Sequence, residues 1–160
     1  MKTIFIVDDN NTNLLMAKEA LDGVYRALAV PSALKMFALM AKVMPDLILL
    51  DMEMPEMDGY TALTKLKGNE RTARIPVIFL TAYTNDLLAS QALEAGAVDF
   101  ITKPFLKPTL LNHVSTQLRV AELEDAIDAI HDRLSNGYIR PALDIATEVR
   151  RERLLWTDKT

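Results

Sequence analysis

Apolar residues in this chain fall into short solid runs, separated by stretches where they recur every three or four positions. The solid runs are Ile4-Phe5-Ile6-Val7, Leu47-Ile48-Leu49-Leu50 and Val77-Ile78-Phe79-Leu80, and a shorter apolar pair lies within Asp99-Phe100-Ile101-Thr102. Such a run between polar flanks predicts a strand buried on both faces, as in a parallel sheet covered by helices. Residues 24–30 predict a further strand, less apolar because Tyr25 and Arg26 interrupt it, and so placed at a sheet edge.

The periodic stretches predict helices between these strands. Residues 13–21 carry Leu14, Leu15, Ala17 and Leu21 at helical spacing, with Asn11 or Thr12 as the cap. Pro31-Ser32 opens a second helix with Leu34, Phe37, Ala38, Met40 and Ala41 on one broad side, closed by Pro45. A third follows Gly59, with Asp58 as its cap and Ala62, Leu63 and Leu66 turned inward, before a polar loop over 67–74. Residues 86–95 predict a fourth, with Leu87, Leu88, Ala92 and Leu93 as core candidates and Gly96 as its stop. A fifth starts at Lys107 or Pro108 and carries Leu110, Leu111, Val114 and Leu118. Strand and helix thus alternate through 1–118, and right-handed crossovers fold that alternation into an α/β, doubly wound, five-stranded parallel sheet.

From 119 to 160 the pattern changes to a helical extension. Val120, Leu123, Ile127, Ile130 and Leu134 repeat at the spacing of a coiled-coil seam, with Glu122, Glu124, Asp125, Asp128 and Asp132 between them. Ser135-Asn136-Gly137 breaks the pattern, and Pro141 fits the first turn of another helix bearing Ala142, Ile145, Ala146 and Val149. Three roles stay open for this extension: a hairpin docked on the first domain, a homodimer contact, or a linker. It is too short for a helix-turn-helix output domain and has no basic recognition helix. Arg150, Arg151 and Arg153 read as the solvated end of a helix.

Composition narrows the function. A net charge of −4 and no long basic run exclude a nucleic-acid footprint. The absence of cysteine removes disulfides, thiolate metal sites and thiol catalysis. The start reaches Asp8-Asp9 too soon for a signal peptide, and no apolar stretch is long enough to span a bilayer, so a soluble cytoplasmic protein is expected.

The chemistry lies at the strand ends. Asp8 and Asp9 follow the first strand, Asp51 ends the third, Thr81 the fourth, and Lys103-Pro104 follows the fifth. In an open α/β sheet those ends face the ligand crevice, so the groups converge if the strands are parallel neighbours. Packed carboxylates repel one another unless a cation is bound or a proton taken up. Oxygen donors without cysteine or a histidine cluster suit Mg2+. A divalent ion, an attacking carboxylate, an ammonium and a hydroxyl are what phosphoryl transfer requires. Taken singly, Asp8, Asp9, Asp51 and Thr81 read as turn or cap residues and Lys103 as solvated; their joint placement changes that reading. Phe100 reads as core packing when taken alone. The methionines are mainly filler, although Met54 and Met57 could face a partner. His113 is expected to face solvent or a helix partner, His131 to be a plain surface histidine, and the pair to form no metal site.

The segments Val7-Asp8-Asp9, 49–59 from Leu49 to Gly59, Thr81-Ala82 and Lys103-Pro104-Phe105 resemble the receiver domain of two-component response regulators. The resemblance covers 1–118 and implies a flavodoxin-like fold of strand order 2-1-3-4-5, similar to the chemotaxis regulator. It implies that Asp51 accepts a phosphoryl group from a histidine kinase or phosphotransfer protein. Asp8, Asp9, Asp51 and the backbone carbonyl of Glu53 would hold Mg2+; Lys103 would pair with the phosphoryl oxygens. Thr81 and Phe100 would form the switch, the Lys103-Pro104 peptide would be cis, and Glu53 and Tyr83 would tune hydrolysis. Output would pass through the fourth helix, fifth strand and fifth helix, to a domain beyond residue 160 or to a separate effector. Such a receiver acts only on its own phosphoryl group and turns over no foreign substrate. Two competing readings are a phosphorylation-independent interaction module and an aspartyl-nucleophile phosphatase with Glu53 as its acid.

Overall fold

The computed structural model describes residues 1–82 and 86–136. Strands β1 (Thr3–Val7), β2 (Arg26–Val30), β3 (Leu47–Asp51), β4 (Val77–Thr81) and β5 (Asp99–Thr102) alternate with helices α1 (Asn11–Leu21), α2 (Ala33–Met40), α3 (Gly59–Lys67), α4 (Asp86–Glu94) and α5 (Lys107–Ser135). The strands form one parallel sheet in the order β2-β1-β3-β4-β5, the flavodoxin-like arrangement. The interrupted strand β2 does lie at an edge, starting at Arg26, with Tyr25 outside it.

Period-two alternation divides each central strand between two cores. Phe5, Val7, Ile48, Leu50, Val77 and Phe79 face α2, α3 and α4, through Met36, Met40, Ala62, Leu63, Leu66 and Ala92. Ile4, Ile6, Leu47, Leu49, Ile78 and Leu80 face α1 and α5, through Leu14, Ala17, Leu21, Leu110, Val114 and Leu118. Because β1, β3 and β4 are buried on both faces, their registers are fixed, and so are the side chains that follow them.

Local chemistry sets the helix ends. Asn10, not Asn11 or Thr12, caps α1: its backbone is extended and its side chain accepts from the Thr12 and Asn13 N–H groups. Ser32 caps α2 and Asp58 caps α3, the latter accepting from Thr61 N–H at 2.7 Å. After α4 the Ala97 N–H reaches back to the Ala92 carbonyl across Gly96 at φ 108°, a turn open to glycine. The polar loop after α3 is closed by Lys67, whose ammonium donates to the Ala73 and Ile75 carbonyls, and by the buried Thr72 hydroxyl on Leu66.

Several core expectations are corrected. Leu15 and Leu34 are exposed, and α2 packs through Ala33, Met36 and Met40. On α4 only Ala92 is fully buried; Leu87 and Leu93 point outward and Leu88 is half-buried. A small residue lets this short helix approach the sheet closely, and the leucines beside it fall on the outer face.

The fold divides the chain into two compact units, Met1–Ala121 and Glu122–Thr160. The sheet lies in the first; in the second, the described residues belong to α5 and the turn after it. Beyond Leu118 the seam residues of α5 are exposed: Val120 by 40%, Leu123 by 61%, Ile127 by 64% and Ile130 by 57%. No described helix is long and apolar enough to cross a membrane. The expectations for Tyr83, for Gly137, for the helix after Pro141 with Ala142, Ile145, Ala146 and Val149, and for Arg150, Arg151 and Arg153 lie outside the described residues.

Candidate functional site

The strand ends converge as the parallel order requires. Asp8 follows β1 and is fully buried, its N–H donating to the Val30 carbonyl and its Oδ1 accepting from Asn10 N–H at 2.8 Å. Asp51 closes β3 with 7% of its surface exposed, and Thr81 closes β4 with 6%. Lys103 follows β5, and its N–H donates to the Thr81 carbonyl at 2.7 Å. Its ammonium bridges two acids, donating to Asp8 Oδ2 at 2.7 Å and to Asp51 Oδ1 at 3.0 Å. Asp9 is exposed at the rim, yet Asp8, Asp9 and Asp51 each bring one carboxylate oxygen within 4.8 Å of the others. The Lys103-Pro104 peptide is cis.

The electrostatics are unbalanced. Burial pushes the Asp51 carboxyl above its ordinary value; Lys103 opposes that through its hydrogen bond and charge, the Asp8 charge adds to it, and the Glu53 N–H opposes it. Burial alone would lower the Lys103 ammonium, but its hydrogen bonds and charges with Asp8 and Asp51 outweigh burial and raise it. The ammonium is well compensated by its two acids, while Asp51 is not fully compensated by the ammonium. With Asp8, Asp9 and Asp51 ionised against Lys103 alone, a formal charge of about −2 is left over. That excess, on oxygen donors only, fits a divalent hard cation such as Mg2+.

The loop after β3 shapes the approach. Gly59 N–H donates to the Met52 carbonyl at 2.9 Å, and a Cβ at Gly59 would stand 2.2 Å from the Asp51 carbonyl oxygen. Glu56, in the same loop, has φ 68°, a conformation that side chains rarely adopt. Glu53 points its side chain to solvent while its N–H bonds the Asp51 carboxylate. Met54 is buried and Met57 half-buried against the α2–α3–α4 core, so Met54 offers a partner no surface.

Phe100 is half-buried against the same core, paired in register with Phe79. A contact that sequence spacing did not reveal lies beside it. His113 on α5 meets Asp99 on β5, and the other oxygen of Asp99 accepts from the Phe100 N–H at 2.8 Å. His113 therefore meets a strand rather than a second helix, with about a third of its side chain (33%) still exposed. Nothing local to either residue signals the pairing, which depends on how α5 lies along the sheet. His131 is exposed, as expected.

Residues 4–115 match the family described as the response regulator receiver domain. The chain belongs to that family. It is 37% identical over 138 residues to a Vibrio cholerae protein named "Probable cyclic di-GMP phosphodiesterase", covering 86% of this chain and 31% of that one. It is also 37% identical over 138 residues to the response regulator PleD of Caulobacter vibrioides, covering 84% of this chain and 29% of the relative. Among solved structures it resembles the signal receiver domain of a signal transduction histidine kinase from Syntrophus aciditrophicus. That match has 37% identity and a TM-score of 0.68, and covers 74% of this chain and 91% of the other. The chain spans about three tenths of the length of these curated relatives. Coverage of 84–86% of this receiver chain runs past residue 115, into the helical extension.

Proposed function

We propose that this receiver is the phosphorylatable switch of a two-component pathway in the cytoplasm. An Oδ of Asp51 attacks the phosphorus of a phosphohistidine on a kinase or phosphotransfer protein. The O–P bond forms as the donor's P–N bond breaks, and the imidazole leaves with the electron pair. The observation that carries this reading is the buried Asp51 at the end of β3, held by Lys103 beside Asp8 and Asp9. Asp8, Asp9, Asp51 and the Glu53 carbonyl would hold Mg2+, which supplies charge neutralisation where the phosphoryl oxygens gather.

Lys103 takes up the phosphoryl charge once its bond to Asp51 is exchanged for one to the new group. Thr81 offers its hydroxyl to the same oxygens, and Phe100, which lacks a phenolic hydroxyl, follows by packing alone. The altered face is α4, β5 and α5, where Leu87, Leu93 and Val98 are exposed. Signal leaves through a domain beyond residue 160 or through a separate effector, and a homodimer through the C-terminal helix is part of the proposal. The receiver domain comprises 1–118, with 119–160 as the helical extension.

Acetyl phosphate with Mg2+ tests the chemistry. Labelling that approaches one phosphoryl group per chain, requires Mg2+ and vanishes in Asp51→Asn supports the switch. No uptake with Mg2+ present leaves a phosphorylation-independent interaction module, whereas sustained phosphate release from a small phosphoester points to a phosphatase.

A further inference from the structure

We infer that the stripe on α5 is covered by the same stripe of a second copy, in a parallel, in-register, two-stranded coiled coil. This specifies the homodimer proposed above and does not depend on the chemistry of Asp51. The stripe is Val120, Leu123, Ile127, Ile130 and Leu134; the first four are 40–64% exposed and Leu134 is half-buried. A helix that displays large apolar side chains along one line depends on covering that line.

The heptad places Val120, Ile127 and Leu134 at a and Leu123 and Ile130 at d. A β-branched residue at a with leucine at d favours two parallel strands, and Val120, Leu123 and Ile127 follow that rule. Ile130 and Leu134 reverse it, so the flanking charges decide. In a parallel pair each g position faces the e position of the partner's next heptad, which puts Arg119 opposite Glu124, twice per dimer. An antiparallel pair faces g with g, and the described g positions are Arg119, Ala126 and Arg133, none of them acidic. The remaining acids, Glu122, Asp125, Asp128 and Asp132, lie on the outer face, where they do not oppose pairing. The seam is little more than two heptads long, so the dimer is weak and depends on concentration.

The chain has no cysteine, so single cysteines report register cleanly. On the full chain without phosphodonor, sedimentation velocity over a concentration series shows a monomer–dimer equilibrium. Under mild oxidation Leu123→Cys and Ile130→Cys each link to their own copy, and the outer-face control Asp125→Cys does not. Arg119→Glu and Glu124→Arg each weaken the dimer by roughly three- to tenfold, and the two together restore it. A monomer at every concentration overturns the inference and gives the stripe to residues 137–160 or to another protein. A dimer in which neither Leu123→Cys nor Ile130→Cys links overturns the parallel register. A tetramer overturns the two-stranded form, and charge reversals without mutual rescue overturn the Arg119–Glu124 pair. None of these outcomes bears on acetyl phosphate labelling, so this inference and the phosphoryl-acceptor reading of Asp51 fail separately.

Discussion

A methyl group at position 59 would stand 2.2 Å from the Asp51 carbonyl oxygen and 2.9 Å from the Met52 α-carbon. Both neighbours are backbone, so they cannot swing aside as a side-chain tip would. Gly59→Ala is expected to lose roughly 2–4 kcal/mol of stability in urea unfolding and to slow phosphoryl uptake. Asp51 gives a second prediction. Its folded pKa is raised above its ordinary 3.8, so ionisation costs more in the folded state. Its favourable contribution is fully present below that ordinary value and is lost as pH rises through the folded one. In Mg2+-free buffer Asp51→Asn should therefore melt above the parent at neutral pH, with the gain vanishing as pH falls towards 3.8. A lower melting temperature for Asp51→Asn would contradict this. At this scale, Asp8, Asp51 and Thr81 are legible because each follows a solid apolar run, and Lys103 because it follows a short strand; their meeting follows once the strands are parallel neighbours. The Asn10 cap and the Asp99–His113 contact are not legible, because one depends on a backbone angle and the other on helix placement.

Among elements, the strands are easier to read than the helices, for a reason of geometry. A strand buried on both faces shows an unbroken apolar run, and in β1, β3 and β4 the short length and polar flanks favour a strand over a buried helix. A short helix with leucines on several sides does not reveal which side is inward. The spacing in α4 offers Leu87, Leu88, Ala92 and Leu93 alike, and of these the helix fully buries only Ala92. This gives a paired prediction. Ala92→Leu should overpack the contact with the sheet and cost about 1–3 kcal/mol, while Leu87→Ser should stay within about 0.5 kcal/mol. Thermal unfolding of the two variants checks it, and equal losses would place the wrong face inward. In α5 both behaviours occur in one helix: Leu110, Val114 and Leu118 are buried, and the same periodicity continues into exposed residues.

Across the whole molecule the fold gathers charge that it does not itself neutralise. The two cores and the parallel order set the strand ends side by side, and among the described residues there three acids face one ammonium. Lys103 donates to Asp8 Oδ2 and Asp51 Oδ1, so it would compete with an incoming ion for the same two carboxylates. The tethered ammonium is thus a resident counterion for both acids. Any affinity measured for magnesium is a difference between the attraction of the carboxylates for the ion and the attraction that the lysine must surrender. Lys103→Met should bind Mg2+ more tightly than the parent in titration calorimetry while accepting phosphoryl groups more slowly. If the site holds Mg2+ as proposed, whatever draws the Lys103 ammonium away, a docked partner included, would retune metal occupancy without touching a carboxylate.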